Sequence, residues 1–407
     1  MIPPKHLLVL CLFCGLIFVF SSIYAPPWKD AFSVSQSVEA PGAMDYCNHC
    51  LVPDVFRGTL TDLGDEDRVT LVVHASFDRV GERTALQVNN WQGPVSLCVV
   101  FPSAADEESA QRFVSCTLQK LRILRQAHPN VERHLSVHFL FPRARHNCSG
   151  ADFLVSEELF SAQNYSEEPF PGRTFEGSIE AVTSYPINVA RNAARRMAKT
   201  RFVLIADLDH LFSAHFEKKM APLAKRKLSE NPKLALVYRI FEVERDVEKL
   251  PETKADLLGL FEDGKAAVFH RHYHAHRIPL LEEWLQSNET TTEDVPSVQF
   301  VRPYLDFAWE PQFVALKTIP EHDESFLYPV RDNTVLRWEM CRAGFEFAVV
   351  HDVFMFHLGV KTKTETEFVK AAQRRVDKRS QRALREFVKR MRRQYPASEK
   401  KCPVFRL

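Results

Sequence analysis

The chain has 407 residues, 45% of them hydrophobic, and its 53 Lys and Arg nearly balance 52 Asp and Glu, leaving a formal net charge of +1. That is enough chain to bury a large core, and so even a balance excludes nucleic-acid binding by bulk charge. The first element is an apolar stretch, Leu7–Tyr24, which follows Lys5 and His6 and carries no charge. Its length is at the short end for a membrane span and long for the apolar core of a cleaved signal. Ala25 is small, but Ile23 is large and Pro26-Pro27 follow, so the segment reads as an uncleaved anchor with residues 1–6 as a cytoplasmic tail. The remainder then lies in the secretory lumen.

Acceptor sequons at Asn147, Asn164 and Asn288 agree with a luminal location. Two of the nine cysteines fall in the apolar segment, and the odd number left over means at least one stays unpaired within the chain. Cys47-Asn48-His49-Cys50 has redox or zinc spacing without a second such motif; it reads as a stem disulfide or as nothing special. Residues 25–67 carry prolines and acids with little apolar periodicity, as a stem would. The apolar runs Val69–His74, Val95–Phe101 and Leu135–Phe141 predict buried strands. Helices are predicted up to about Trp91, over Glu107–Ala127, and over Pro186–Ala198, which feeds the apolar run Phe202–Ala206. This alternation predicts an α/β fold with a mostly parallel, doubly wound sheet. Residues 365–393 read as a basic helix with a solvated face, and 396–407 as a C-terminal tail.

Asp207-Leu208-Asp209 ends the Phe202–Ala206 run. In an extended segment carboxylates at i and i+2 point the same way. At the carboxyl end of a buried strand such a pair can hold a hard divalent cation, which in turn holds a diphosphate.

An ordered set of motifs surrounds this pair. Val69–Val72, Asp78-Arg79 and Trp91–Leu97 come first, then Tyr185–Asn192, Phe307–Val314, Phe345–Val349 and His357–Lys361. From about residue 68 to 395 the chain thereby resembles glycosyltransferase family 49. The resemblance implies a GT-A type nucleotide-sugar-binding domain over 68–395. It further implies a Golgi membrane protein, single-pass type II, with its catalytic domain in the lumen. The implied reaction is metal-dependent, inverting transfer of glucuronic acid, β-linked, from a UDP-sugar to a glycan or glycoprotein acceptor. Alternatives are a transferase using UDP-xylose or UDP-N-acetylglucosamine, and an inactive luminal glycan-binding protein or chaperone with the same fold.

Within that frame His357 joins Asp207 and Asp209 as a metal ligand, a donor set suited to Mn²⁺ or Mg²⁺. Gly359 lets backbone approach the phosphates and Lys361 neutralises departing UDP. Arg191 and Asn192 reach the nucleotide or donor sugar, and Asp78 and Arg79 lie where base or ribose docks. For the general base the candidates are Glu310, beside a Trp309 ring that could stack on a sugar, then Asp332 and Glu339. His270, His272, His274 and His276 alternate, which in a strand would put four imidazoles on one face; a second metal site, with zinc the natural ion, competes with a plain surface loop near the acceptor.

Overall fold

A computed structural model describes residues 42–59, 65–103, 107–143, 148, 175–270, 274–290, 295–359 and 363–407. The apolar segment 7–24, Asn147, Asn164, His272 and Lys361 lie outside them. Among the described residues no helix is long and apolar enough to cross a membrane.

The strands are β1 (Met44–Tyr46), β2 (His49–Phe56), β3 (Val69–Ser76), β4 (Val95–Val100), β5 (Leu135–Pro142), β6 (Phe202–Ile205), β7 (His210–Phe212), β8 (Leu234–Val243), β9 (Ala266–Val268), β10 (Val298–Arg302), β11 (Gln312–Leu316) and β12 (Glu346–Leu358). They form one sheet in the order β1-β2-β5-β4-β3-β6-β11-β8-β12-β10, with β7 on β12 and β9 on β8. The helices that bear on the site are α1 (Glu82–Trp91), α2 (Glu107–Ala127), α3 (Ile187–Met197), α4 (Phe216–Glu230), α5 (Thr334–Arg342) and α6 (Lys363–Gln394).

The sheet is mixed rather than mostly parallel. The βα alternation of the N-terminal half does make β5, β4, β3 and β6 parallel neighbours. Beyond β6 the order changes, because β11 runs antiparallel between β6 and β8. The β10, β7 and β9 pairings are antiparallel too. Residues 44–56, read from sequence as stem, are strands β1 and β2 at the sheet edge, with β2 antiparallel to β5. Their cysteine pairs away from its own motif: Cys50 bonds Cys148, and Cys341 bonds Cys402, leaving Cys47, Cys98 and Cys116 free among the described residues.

Burial explains the strand composition. β4 and β8 are buried along their whole length, so they read as near-continuous apolar runs, broken by Ser96 in β4 and by Arg239 and Glu242 in β8, rather than as alternation. α3 covers the face formed by Val72, Cys98, Leu140 and Val203 with Val189, Ala190, Ala193 and Ala194. On the C-terminal side Trp309, Trp338, Phe347 and Phe387 share a second core.

One consequence of the topology positions the site. β11 is antiparallel to both β6 and β8, and β8 is parallel to β12, so β3, β6, β8 and β12 all point one way. Their carboxyl ends deliver Asp78, Asp207, Arg245 and His357 to one edge of the sheet, where open α/β sheets bind ligands.

Candidate active site

Asp207-Leu208-Asp209 is a turn between β6 and β7, not an extended segment; the His210 amide donates to the Asp207 carbonyl at 3.2 Å. The turn matters because β7 crosses to β12, pairing His210 with His357. Asp209 Oδ2 thereby comes within 3.3 Å of His357 Nε2. α1 fixes the turn from below: the Gln87 amide donates to the carbonyls of Asp207 and His210, both at 2.8 Å. One turn on, Asn90 exchanges hydrogen bonds with the Phe212 backbone. Neither Gln87 nor Asn90 was marked by a motif.

The two carboxylates have different surroundings. Asp207 Oδ1 lies 3.6 Å from His74 Nε2 and 3.4 Å from an Arg191 Nη. Crowding by protein opposes its ionisation, but the nearby His74 imidazole and the charge of Arg191 prevail and hold the carboxyl well below its usual range. Asp209 is lowered as well, its burial outweighed by the His357 hydrogen bond. In return Asp209 raises the His357 imidazole against the effect of burial. His357 Nδ1 sits 3.1 Å from the Gly359 carbonyl, which can only accept, so Nδ1 carries the proton and Nε2 faces Asp209. Gly359 has φ +104°, a conformation that favours glycine, and the Arg245 guanidinium lies against it.

A metal fits this donor chemistry: two ionised carboxylates and an imidazole whose far nitrogen is anchored to a carbonyl suit a hard or borderline divalent ion. Among the described residues Asp209 and His357 form the close pair, while Asp207 turns toward His74 and Arg191. Asp45 lies beside Cys50 and Cys148, but those sulfurs are joined and offer no thiolate.

Several predicted contacts have other partners. Arg191 is buried, donating to Asp332 Oδ2 at 2.9 Å and to Asp207, and so backs the acidic turn. The Asn192 amide is spent on the chain itself, donating to the His322 carbonyl and Glu324 and accepting from the His322 amide. Asn188 and Arg195 likewise hold the carbonyls of Asp323, Asp332 and Pro320. The polar face of α3 is therefore a clamp on residues 320–332. Asp332 is buried against Arg191, and burial raises its carboxyl even though Arg191 opposes this, so it stands as a counter-ion rather than a free base. Glu339 is paired with Arg390 at 2.8 Å. Trp309 is 1% exposed and covered by Arg302, so its ring cannot stack on a sugar.

Glu310 stays partly exposed. Its Oε1 accepts from the Thr334 hydroxyl at the start of α5, and its Oε2 is 3.7 Å from His276 Nε2. His276 Nδ1 donates to the Glu310 carbonyl at 3.1 Å. Among its described residues the histidine segment forms no strand: β9 stops at Val268, His270 has φ +50°, and His274–His276 is a 3₁₀ turn. His270 and His276 are ring neighbours at 5.6 Å, and Phe269 touches the rings of His276, His210 and His357. Asp78 and Arg79 occupy the 3₁₀ turn after β3, with Asp78 accepting from the Ser76 hydroxyl at 2.5 Å.

A family model described as "glycosyl-transferase for dystroglycan" matches residues 68–396. The mouse protein Beta-1,4-glucuronyltransferase 1 is 27% identical over 359 residues, covering 86% of this chain and 81% of the relative. Chicken Xylosyl- and glucuronyltransferase LARGE1 is 24% identical over 300 residues, covering 72% of this chain but 31% of that longer protein. Among solved structures, GalNAc-T7 with UDP, GalNAc and Mn²⁺ gives a TM-score of 0.34 at 10% identity, covering 76% of this chain and 48% of that one.

Proposed function

This chain belongs to glycosyltransferase family 49 and is a glycosyltransferase, and from that premise we propose that it is a GT-A type, inverting transferase moving a sugar from UDP to a glycan hydroxyl. Glucuronic acid is the proposed donor sugar, since the relatives matched over most of their length are named glucuronyltransferases. The observation that supports the reading is the approach of His357 Nε2 to Asp209 Oδ2 at the sheet edge that also carries Asp207.

Asp207, Asp209 and His357 would hold Mn²⁺ or Mg²⁺, which when bound offsets the charge of the diphosphate. Arg191 and His74 keep Asp207 ionised and in place. Arg245, exposed beside Gly359, presents a cation at the same edge, and Lys361 is a second candidate to meet the leaving UDP. Glu310 is the proposed base. The Thr334 hydroxyl satisfies Oε1 and leaves Oε2 to take the acceptor's proton as its oxygen bonds to the donor carbon and the bond to UDP breaks. The segment 7–24 would be the Golgi signal-anchor, 68–395 the catalytic domain, and the lumen the site of the reaction.

The test is UDP release from the purified protein with UDP-glucuronic acid, UDP-xylose and UDP-N-acetylglucosamine, each with and without Mn²⁺. UDP-xylose is the second donor because some relatives are named xylosyl- and glucuronyltransferases. Mn²⁺-dependent release from UDP-glucuronic acid is the expected result. No release from any donor by a folded protein would overturn the transferase reading and leave a glycan-binding role.

A further inference from the structure

Beside Glu310, on the far side of His276, lies a cavity of about 410 Å³ between β8, the turn at 276–281 and β10. That volume falls within the range of small-molecule sites, roughly 300–1,000 Å³. Its floor is apolar, with Ile240, Phe241 and Val268, while Arg239, Arg277 and Arg302 supply three guanidinium groups. No Asp or Glu is among the residues that line it.

Each arginine lacks a carboxylate partner among the described residues. Arg239 is 3% exposed and donates to the carbonyls of Ile278, Pro279 and Leu280 and to the Gln299 amide oxygen, all neutral acceptors. Its Nε is buried with no hydrogen-bond partner. Arg302 lies 4.2 Å over the Trp309 ring, and Arg277 is exposed. Burial pushes the Arg239 and Arg302 guanidinium groups down, Arg239 to about 10, with Glu283 and Asp306 only partly opposing this. A buried cation without a counter-ion is costly, and guanidinium groups prefer planar, two-oxygen anions.

We propose that this cavity is an anion-recognising subsite of the acceptor, taking a sugar that bears a carboxylate or a phosphate. The acceptor assignment rests on Glu310 being the base; the anion assignment does not. His276 connects the two places, since its ring lines the cavity and its Nδ1 holds the Glu310 backbone. An acidic sugar seated on the three arginines would therefore sit next to the residue that activates the acceptor hydroxyl.

The test is direct binding to the full chain, by ligand-observed NMR, of glucuronate, mannose 6-phosphate and glucose. At least one acidic sugar should bind about tenfold or more tightly than glucose, and which one binds identifies the anion. Arg302→Gln and Arg277→Gln should each weaken that binding about tenfold, while Asp209→Asn and added UDP leave it unchanged. Arg277 is exposed, so its variant keeps the test valid if Arg302→Gln misfolds. Binding no better than glucose, indifference to both arginine variants, or displacement by UDP would overturn the proposal. Because binding needs no turnover, an inactive protein that still takes the acidic sugar refutes the transferase reading alone.

Discussion

Arg191→Met separates two roles for the buried guanidinium of α3. Arg191 is 4% exposed and Asp332 8%, and the 2.9 Å pair between them is shielded from solvent on both sides. Breaking a buried pair by removing one partner costs about 3–5 kcal/mol, because a charge is left without its counter-ion. The lower end applies here, since burial already raises the Asp332 carboxyl and protonation relieves part of the cost. Asp207 adds little to the loss, its carboxylate being 49% exposed and screened by water. An unfolding entropy of about 2.1 cal/mol/K per residue, taken over the matched span 68–396, gives about 0.7 kcal/mol per degree, so 3 kcal/mol lowers Tm by about 4 °C. Differential scanning fluorimetry reads this. A cycle with Asp332→Asn should recover about half the loss in the double variant, a coupling well above 0.5 kcal/mol. If Tm moves by less than about 1 °C while the KM for donor rises, Arg191 contacts nucleotide and the counter-ion argument is wrong.

Asp209→Asn and His357→Ala should each reduce Mn²⁺-dependent UDP release by more than about 100-fold while Tm without metal stays within a few degrees; Mn²⁺ titrations that match wild type would remove both from the metal site. Gly359→Ala should cost about 1–2 kcal/mol, because alanine at φ +104° is strained and its Cβ would meet the Arg245 side chain; a urea midpoint equal to wild type refutes it. Burial pushes His134 and His138 down to about 4. Between pH 6.5 and 4 the unfolded chain therefore binds protons that the folded one does not. Their contribution is complete above pH 6.5 and falls as pH drops toward 4, by up to about 1.4 kcal/mol per pH unit for each. Urea midpoints at pH 7, 6 and 5 should decline, and less steeply in His138→Asn; a midpoint independent of pH across that window contradicts the assignment.

Some of this protein was legible in one dimension. Buried strands announce themselves locally, and the runs Val69–His74, Val95–Phe101 and Leu135–Phe141 are strands β3, β4 and β5. The period of Glu107–Ala127 is likewise that of helix α2. The ordered motifs from Val69 to Lys361 carried the family, since each lies in or beside an element that the sheet needs. Partners of polar side chains were not legible, because they are set by pairs far apart in sequence. Arg191 meets Asp332 across 141 positions, and Asp209 meets His357 across 148. The first pairing gives Arg191 a buried counter-ion that no motif indicated, and Trp309 is held in the core by the packing of Tyr304 and Arg302. His276 and Glu310 meet because a 3₁₀ turn replaces the strand that alternation suggested. Composition and period thus determined which segments are buried, and the ordered motifs carried the resemblance to the family. Only the mixed sheet, by bringing β7 across to β12, decided which charges face one another and so where chemistry can occur.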